Sequence, residues 1–219
     1  MKKKILCIGA HPDDVELGMG GTVAKHVDKD HEVHLVICTQ GIGGNSGHPK
    51  LRMEEAEKAA DILGVHLHLI DYPVLNLNRP SSDFTNVIKN IIKTINPDRV
   101  YTHSPHDYHQ IHNTVARCVT DGISNVRKVI YYEIISSTTP DFKPNAYVDI
   151  SNYIDVKIKS LSAHRTQGSK LYFLKNAVKS LAYTRYSLSK IGLKHNGMAE
   201  AFAIHRYLIQ DSFSFLFVE

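Results

Sequence analysis

A chain of 219 residues with a net charge of +4, 42% hydrophobic and 22% charged, has the make-up of a water-exposed globular protein that needs no disulfide or metal staple to build a core. Its three cysteines, Cys7, Cys38 and Cys118, are too far apart for a metal knuckle or a disulfide framework, which fits a reducing, cytoplasmic setting. Lysines and arginines are spread rather than clustered, against a nucleic-acid footprint, no window reaches the length of a membrane span, and the apolar run Ile5 to Ala10 after Lys2-Lys3-Lys4 is too short for a signal peptide.

KILCIGA reads as a buried first strand, followed by a helix from about Gly18 to Lys29. HEVHLVICT is a second strand, and Gly41 to Pro49 is glycine-rich and irregular. Leu51 to Leu63 is a helix with Gly64 as its stop signal, and VHLHLIDY is a third strand. Ser81 or Ser82 caps a helix running to about Ile95, where Asn96-Pro97 breaks it. DRVYTHS is a fourth strand, Gln110 to about Gly122 a helix, and RKVIYYEI a fifth strand. Beyond it, Ser151 to about Arg165 and Lys170 to about Leu188 read as helices, and AEAFAIHRYLI as a last strand.

Strands alternating with single helices predict an α/β fold with a Rossmann-like parallel sheet in the order 3-2-1-4-5. We expect one domain over 1–219, with a core at 1–135 and an appended α+β lobe at 136–219, because no linker precedes the last third. In such a sheet a ligand sits where the strand order reverses, here between strands 1 and 4. AHPDD ends strand 1, and HSPHDYHQIH, the densest histidine segment, ends strand 4. The two clusters should therefore face each other across one crevice.

Paired carboxylates beside histidines suit a divalent cation. His11, Asp14 and one of His109 or His112 make a three-ligand N,O set that leaves a position open for water, as catalytic zinc requires, although Fe2+ and other ions also accept such donors. Asp13 is then free to take a proton from an activated water, and the remaining histidine to assist an oxyanion or a leaving amine. Together these parts predict hydrolysis of an amide or ester. Arg52 reaches the same crevice edge and is placed either to bind a substrate or to pair with Glu55. Gly18-Met19-Gly20-Gly21 matches no phosphate loop and reads as close helix packing. AHRTQ reads as a basic helix end, and His34, His66 and His68 as sheet-surface residues.

AHPDDVELGMGGT, Arg52 with Glu55 in LRMEEAEKAADILGV, HSPHDYHQIH, AHRTQ and AEAF together resemble the PIG-L/LmbE-like deacetylase family, in order and over nearly the whole chain. The resemblance implies a Rossmann-like fold, a divalent metal (usually zinc), a homo-oligomer, and removal of the acetyl group from an N-acetylglucosamine-type amino-sugar conjugate. It implies His11, Asp14 and His112 as metal ligands, Asp13 as general base, His109 as the assisting histidine and Arg52 as a sugar contact. Ile111 departs from the pattern: the family usually has an Asp there to support the assisting histidine, and Asp107 is the candidate to replace it. The segment Ser136 to Asn145 and the chain after 165 should shape the distal pocket. The rival readings are a metallohydrolase of another N-acyl substrate, such as a peptide or antibiotic scaffold, and a sugar- or metal-binding protein whose catalysis has decayed.

Overall fold

The computed structural model describes residues 2–41, 48–123, 126–190 and 196–208; most of the glycine-rich stretch expected at Gly41 to Pro49 lies outside them. Lys4–Gly9 (β1) is buried from Ile5 onward, as a strand covered on both faces must be. Glu32–Ile37 (β2) pairs with it in parallel, and His66–Leu69 (β3) pairs with β2. On the other side of β1 lie Arg99–His103 (β4) and then Lys128–Tyr132 (β5), again parallel. The expected order 3-2-1-4-5 is present, with its switch point between β1 and β4.

The α+β extension expected in the last third of the chain adds two strands to this sheet. Ala146–Asp149 (β6) and Ala199–Tyr207 (β7) complete a seven-stranded order β3-β2-β1-β4-β5-β7-β6, with β7 antiparallel to both neighbours. The sequence reading lacked β6. Four half-buried residues at a sheet edge make neither an alternating pattern nor an apolar run.

Asp14–Asp28 (α1), Pro49–Leu63 (α2), Ile154–Leu161 (α5) and Lys175–Ser189 (α6) bury apolar side chains in one core layer. Ser82–Ile95 (α3) and Gln110–Gly122 (α4) do so on the opposite face. Ser81 caps α3 by accepting the Phe84 N–H, and Gly64 ends α2 in the left-handed conformation. The helices expected at Ser151–Arg165 and Lys170–Leu188 are shorter: tight 3₁₀ turns at Arg165–Gln167 and Leu171–Phe173 take up part of each. Among the described residues no helix is long and apolar enough to cross a membrane.

α1 begins at Asp14, not Gly18, and kinks at Met19. The kink frees backbone N–H groups for a second helix start. Glu200 of β7 accepts the N–H groups of Gly21 (3.0 Å) and Thr22 (2.7 Å), and Lys157 of α5 neutralises it at 2.6 Å. A side chain at Gly18 would lie 2.5 Å from the Tyr132 ring, so close packing is indeed what that glycine permits.

Candidate metal centre

The chain leaves β1 through Ala10-His11-Pro12-Asp13, and Asp13 takes a φ of 101°, a conformation that L residues rarely adopt. This turn sets Asp14 at the head of α1 and folds it back: Asp14 Oδ2 accepts the His11 backbone N–H at 2.7 Å and lies 3.3 Å from His11 Nδ1. From the other side of the crevice, His112 enters on the first turn of α4. Its Nε2 is 3.1 Å from His11 Nδ1 and 3.3 Å from Asp14 Oδ1. Its Nδ1 faces Asp107 Oδ2 at 3.2 Å and Ser137 Oγ at 3.4 Å.

These distances fit a cation. Ligand atoms around a tetrahedral ion with bonds of about 2.0–2.1 Å stand about 3.3 Å apart. A carboxylate on the far nitrogen of a histidine, as Asp107 is to His112, is the usual means of orienting a ligating imidazole. Among the described residues, the groups able to offer one ligand atom each within 4.8 Å are His11–His109–His112 and Asp14–His103–His112, which meet at His112. The charge balance agrees. Burial opposes ionisation of Asp14, but His112, His103 and His11 outweigh it and hold its carboxyl well below the usual range. Burial also opposes charge on His112, yet Asp14 and Asp107 push it up to about 10. The buried carboxylates thus require a positive charge at this point, which a proton on His112 supplies and a divalent ion would replace.

His103 belongs to the cluster, and the sequence reading gave it no role. It is buried at the end of β4, with Nε2 3.0 Å from the Ala10 nitrogen and 3.1 Å from Asp14 Oδ2, while its Nδ1 has no partner. Burial and His112 bring it down to about 4, so it stays neutral. By accepting the Ala10 N–H, it ties the end of β4 to the turn after β1, alongside the Asp14 carboxylate. Its position at the carboxyl end of the strand facing β1 was the available signal.

Asp13 is also buried, but it points to Arg52. Its Oδ2 accepts from Arg52 Nη2 at 3.0 Å, and the same guanidinium donates to the carbonyls of Pro12 (2.7 Å) and Gly41 (2.6 Å). Burial and the Asp14 charge push Asp13 up to about 7, against the pull of Arg52. The alternative pairing of Arg52 with Glu55 does not occur, since Glu55 accepts the backbone N–H and hydroxyl of Thr166. In the same AHRTQ segment His164 lies 3.1 Å from Glu16 of α1, both buried, so the segment braces the crevice helices and is more than a basic helix end.

His109 sits at the mouth, stacked on His112 (4.3 Å between ring centres) and edge-on to His11 (5.0 Å). Burial and the neighbouring His112 and His11 lower it to about 4, leaving it neutral. Asp107 does not serve its ring: Asp107 Oδ1 accepts the His109 backbone N–H at 2.8 Å, and Oδ2 is turned to His112. His11, Asp13, Asp14, Arg52, His109 and His112 all line one cavity of about 270 Å³, whose wall also includes Ile111, Ile134, Ser136, Lys170 and Tyr172.

A family described as PIG-L, GlcNAc-PI de-N-acetylase, matches residues 6–123, more than half of the chain. The chain belongs to the PIG-L family. The matched stretch holds the whole crevice cluster of His and Asp side chains, whereas Lys170, Tyr172 and Glu200 lie beyond it. Among PIG-L relatives, the uncharacterized deacetylase YaiS of Escherichia coli is 34% identical over 172 residues, covering 75% of this chain and 92% of its own. The diacetylchitobiose deacetylase of Thermococcus kodakarensis is 29% identical over 190 residues, covering 75% and 70%. The fold also superposes on the 4-carboxy-2-hydroxymuconate hydratase of Pseudomonas putida, with a TM-score of 0.78 and 18% identity over 98% of this chain and 100% of that one. One fold therefore carries different reactions, and the choice between them rests on the site.

Proposed function

We propose that this chain is a zinc-dependent hydrolase that removes the acetyl group from an N-acetylglucosamine-type conjugate. The observation that carries the reading is that His11 Nδ1 and His112 Nε2 lie 3.1 Å apart and each 3.3 Å from a different oxygen of Asp14, Oδ2 and Oδ1, beside a buried carboxyl that is not part of the group. A divalent ion held there acidifies a water and polarises an acyl oxygen. The N,N,O donors suit zinc, and Fe2+ fits the same set.

The chain's own groups then divide the work. Asp13, with a carboxyl near neutrality and an orientation fixed by Arg52, accepts the proton of the attacking water. The same proton passes from Asp13 to the nitrogen as the C–N bond breaks, so the products are acetate and a free amine. Neutral His109, at the cavity mouth, offers a ring N–H to the oxygen that gains charge during attack. Arg52 acts here on Asp13 as much as on substrate. Tyr172 and Lys170 present an amphipathic ring and a cation to the outer part of the ligand, which suits a hydroxyl-rich sugar. The deacetylase relatives support this substrate class.

The test is acetate release from diacetylchitobiose and other N-acetylglucosamine conjugates, with N-acyl amino acids as the comparison. Asp13→Asn should keep its zinc and lose turnover by about 10²–10⁴-fold. Full turnover in that variant would remove Asp13 from the reaction.

A further inference from the structure

A second group of histidines lies away from the crevice, on the sheet itself. His66 and His68 alternate along β3 and share a face, and His34 stands on β2 in register with His66. Further along, the same face is packed under α3 and α4, where Leu6, Ile8 and Val36 join Phe84, Ile88 and Val115 in the core. At β3, the terminal strand, the face opens to solvent: His66 and His68 are exposed and His34 is half-buried.

The side chains there are organised. His34 Nδ1 lies 2.9 Å from His68 Nε2, and His34 Nε2 lies 2.8 Å from Glu32 Oε1. The rings of His66 and His68 are each centred 5.2 Å from that of His34. The two nitrogens share a hydrogen bond, and their separation is also that of ligands about 90° apart on a tetragonal or six-coordinate ion, which would displace the shared proton. Glu32 occupies the far nitrogen of His34, where a ligating histidine keeps its orienting carboxylate. Burial and the neighbouring His34 and His66 lower the His68 pKa, which favours the neutral, ligating form.

We propose that this patch is a second metal site, in which His34 Nδ1 and His68 Nε2 bind a divalent ion of the Zn2+, Ni2+, Cu2+ class. The structure places two donors here, His34 and His68; water completes the shell, Glu32 orients His34, and the exposed His66 ring would have to rotate to become a third ligand. An imidazole donor set selects this class over Mg2+ and Ca2+. Because the ligands span two strands, the ion clamps β3 to β2, its one strand partner among the described residues.

The test compares the full-length wild type with His68→Gln and with His34→Gln/His68→Gln, all stripped of metal and titrated with Zn2+ by calorimetry. Wild type should take up one equivalent more than either variant, whatever the crevice holds. Acetate release at a single equivalent should be the same in wild type and His68→Gln. Cu2+ added to wild type whose crevice is already filled should give an electron paramagnetic resonance spectrum split by imidazole nitrogens, and His68→Gln should lack it. Should the double variant fail to fold, diethylpyrocarbonate modification of unaltered protein decides: Zn2+ should protect His34 and His68. Equal uptake by wild type and variants, or modification that Zn2+ leaves unchanged, would overturn the site. A crevice that fails to hold metal would show separately, as zinc uptake that His112→Ala leaves undiminished.

Discussion

The two histidine groups differ less in their imidazoles than in what surrounds them. In the crevice, His11, His103, His109 and His112 meet Asp13, Asp14 and Asp107, and most of these side chains are buried. On β2 and β3, His66 and His68 are exposed and His34 half-buried, and among the described residues the carboxylate beside them is Glu32. Burial denies the crevice carboxylates water, so they draw in positive charge: His112 is held up to about 10 while His103 next to it falls to about 4. At the sheet edge water can do the same work, and any ion bound there is optional. Carboxylates and burial, more than the number of histidines, mark the site that must hold a cation.

The largest expected effect comes from removing the shared carboxylate. Asp14→Ala should abolish both zinc uptake in the crevice and acetate release, measured by metal analysis and turnover; a variant that keeps its crevice zinc would show that the comparison misplaces the charge. Next comes Glu200→Gln, which breaks the buried pair with Lys157. It should cost about 3–5 kcal/mol in denaturant unfolding, and a loss of under about 1 kcal/mol would mean that the pair is not needed at the α1 kink. His26 is the intermediate case, a buried imidazole set against Tyr101 with no carboxylate partner among the described residues. Burial first, then Arg99, lower it to about 3. Between about pH 6.5 and 3 the unfolded chain binds a proton that the folded one refuses, so stability should fall with pH at up to about 1.4 kcal/mol per unit. His103 and His109 act in the same window, so His26→Gln should reduce the slope by up to about 1.4 kcal/mol per unit without removing it, and an unchanged slope would exclude His26 as a source. The smallest effect is His68→Gln, which should leave turnover within about twofold, as expected of a surface change away from the crevice.

Much of this was legible from local pattern. Apolar runs marked β1 to β5, helical periodicity marked α4 with the bounds it has, and the reversal of strand order brought AHPDD opposite the histidine segment. What stayed hidden depends on direction and distance. A histidine inside DRVYTHS looks like any strand residue until the sheet aims His103 at Asp14. Asp107 has two candidate histidines in its own segment, and only the loop conformation assigns its side chain to His112. Arg52 has Glu55 at helical spacing, yet its partner is Asp13, far away in sequence, because Thr166 has taken the glutamate. The early start of α1 depends on the left-handed backbone of Asp13, which non-glycine residues adopt only occasionally, even Asp.

The central claim is that the crevice ion makes this chain an amide hydrolase. The most direct measurement is acetate release from an N-acetylglucosamine conjugate by metal-stripped protein reloaded stepwise with zinc. The account predicts no turnover without metal and activity that rises to a plateau when one equivalent occupies the crevice. Turnover that survives complete removal of metal, or no acetate from any conjugate at full loading, would contradict it.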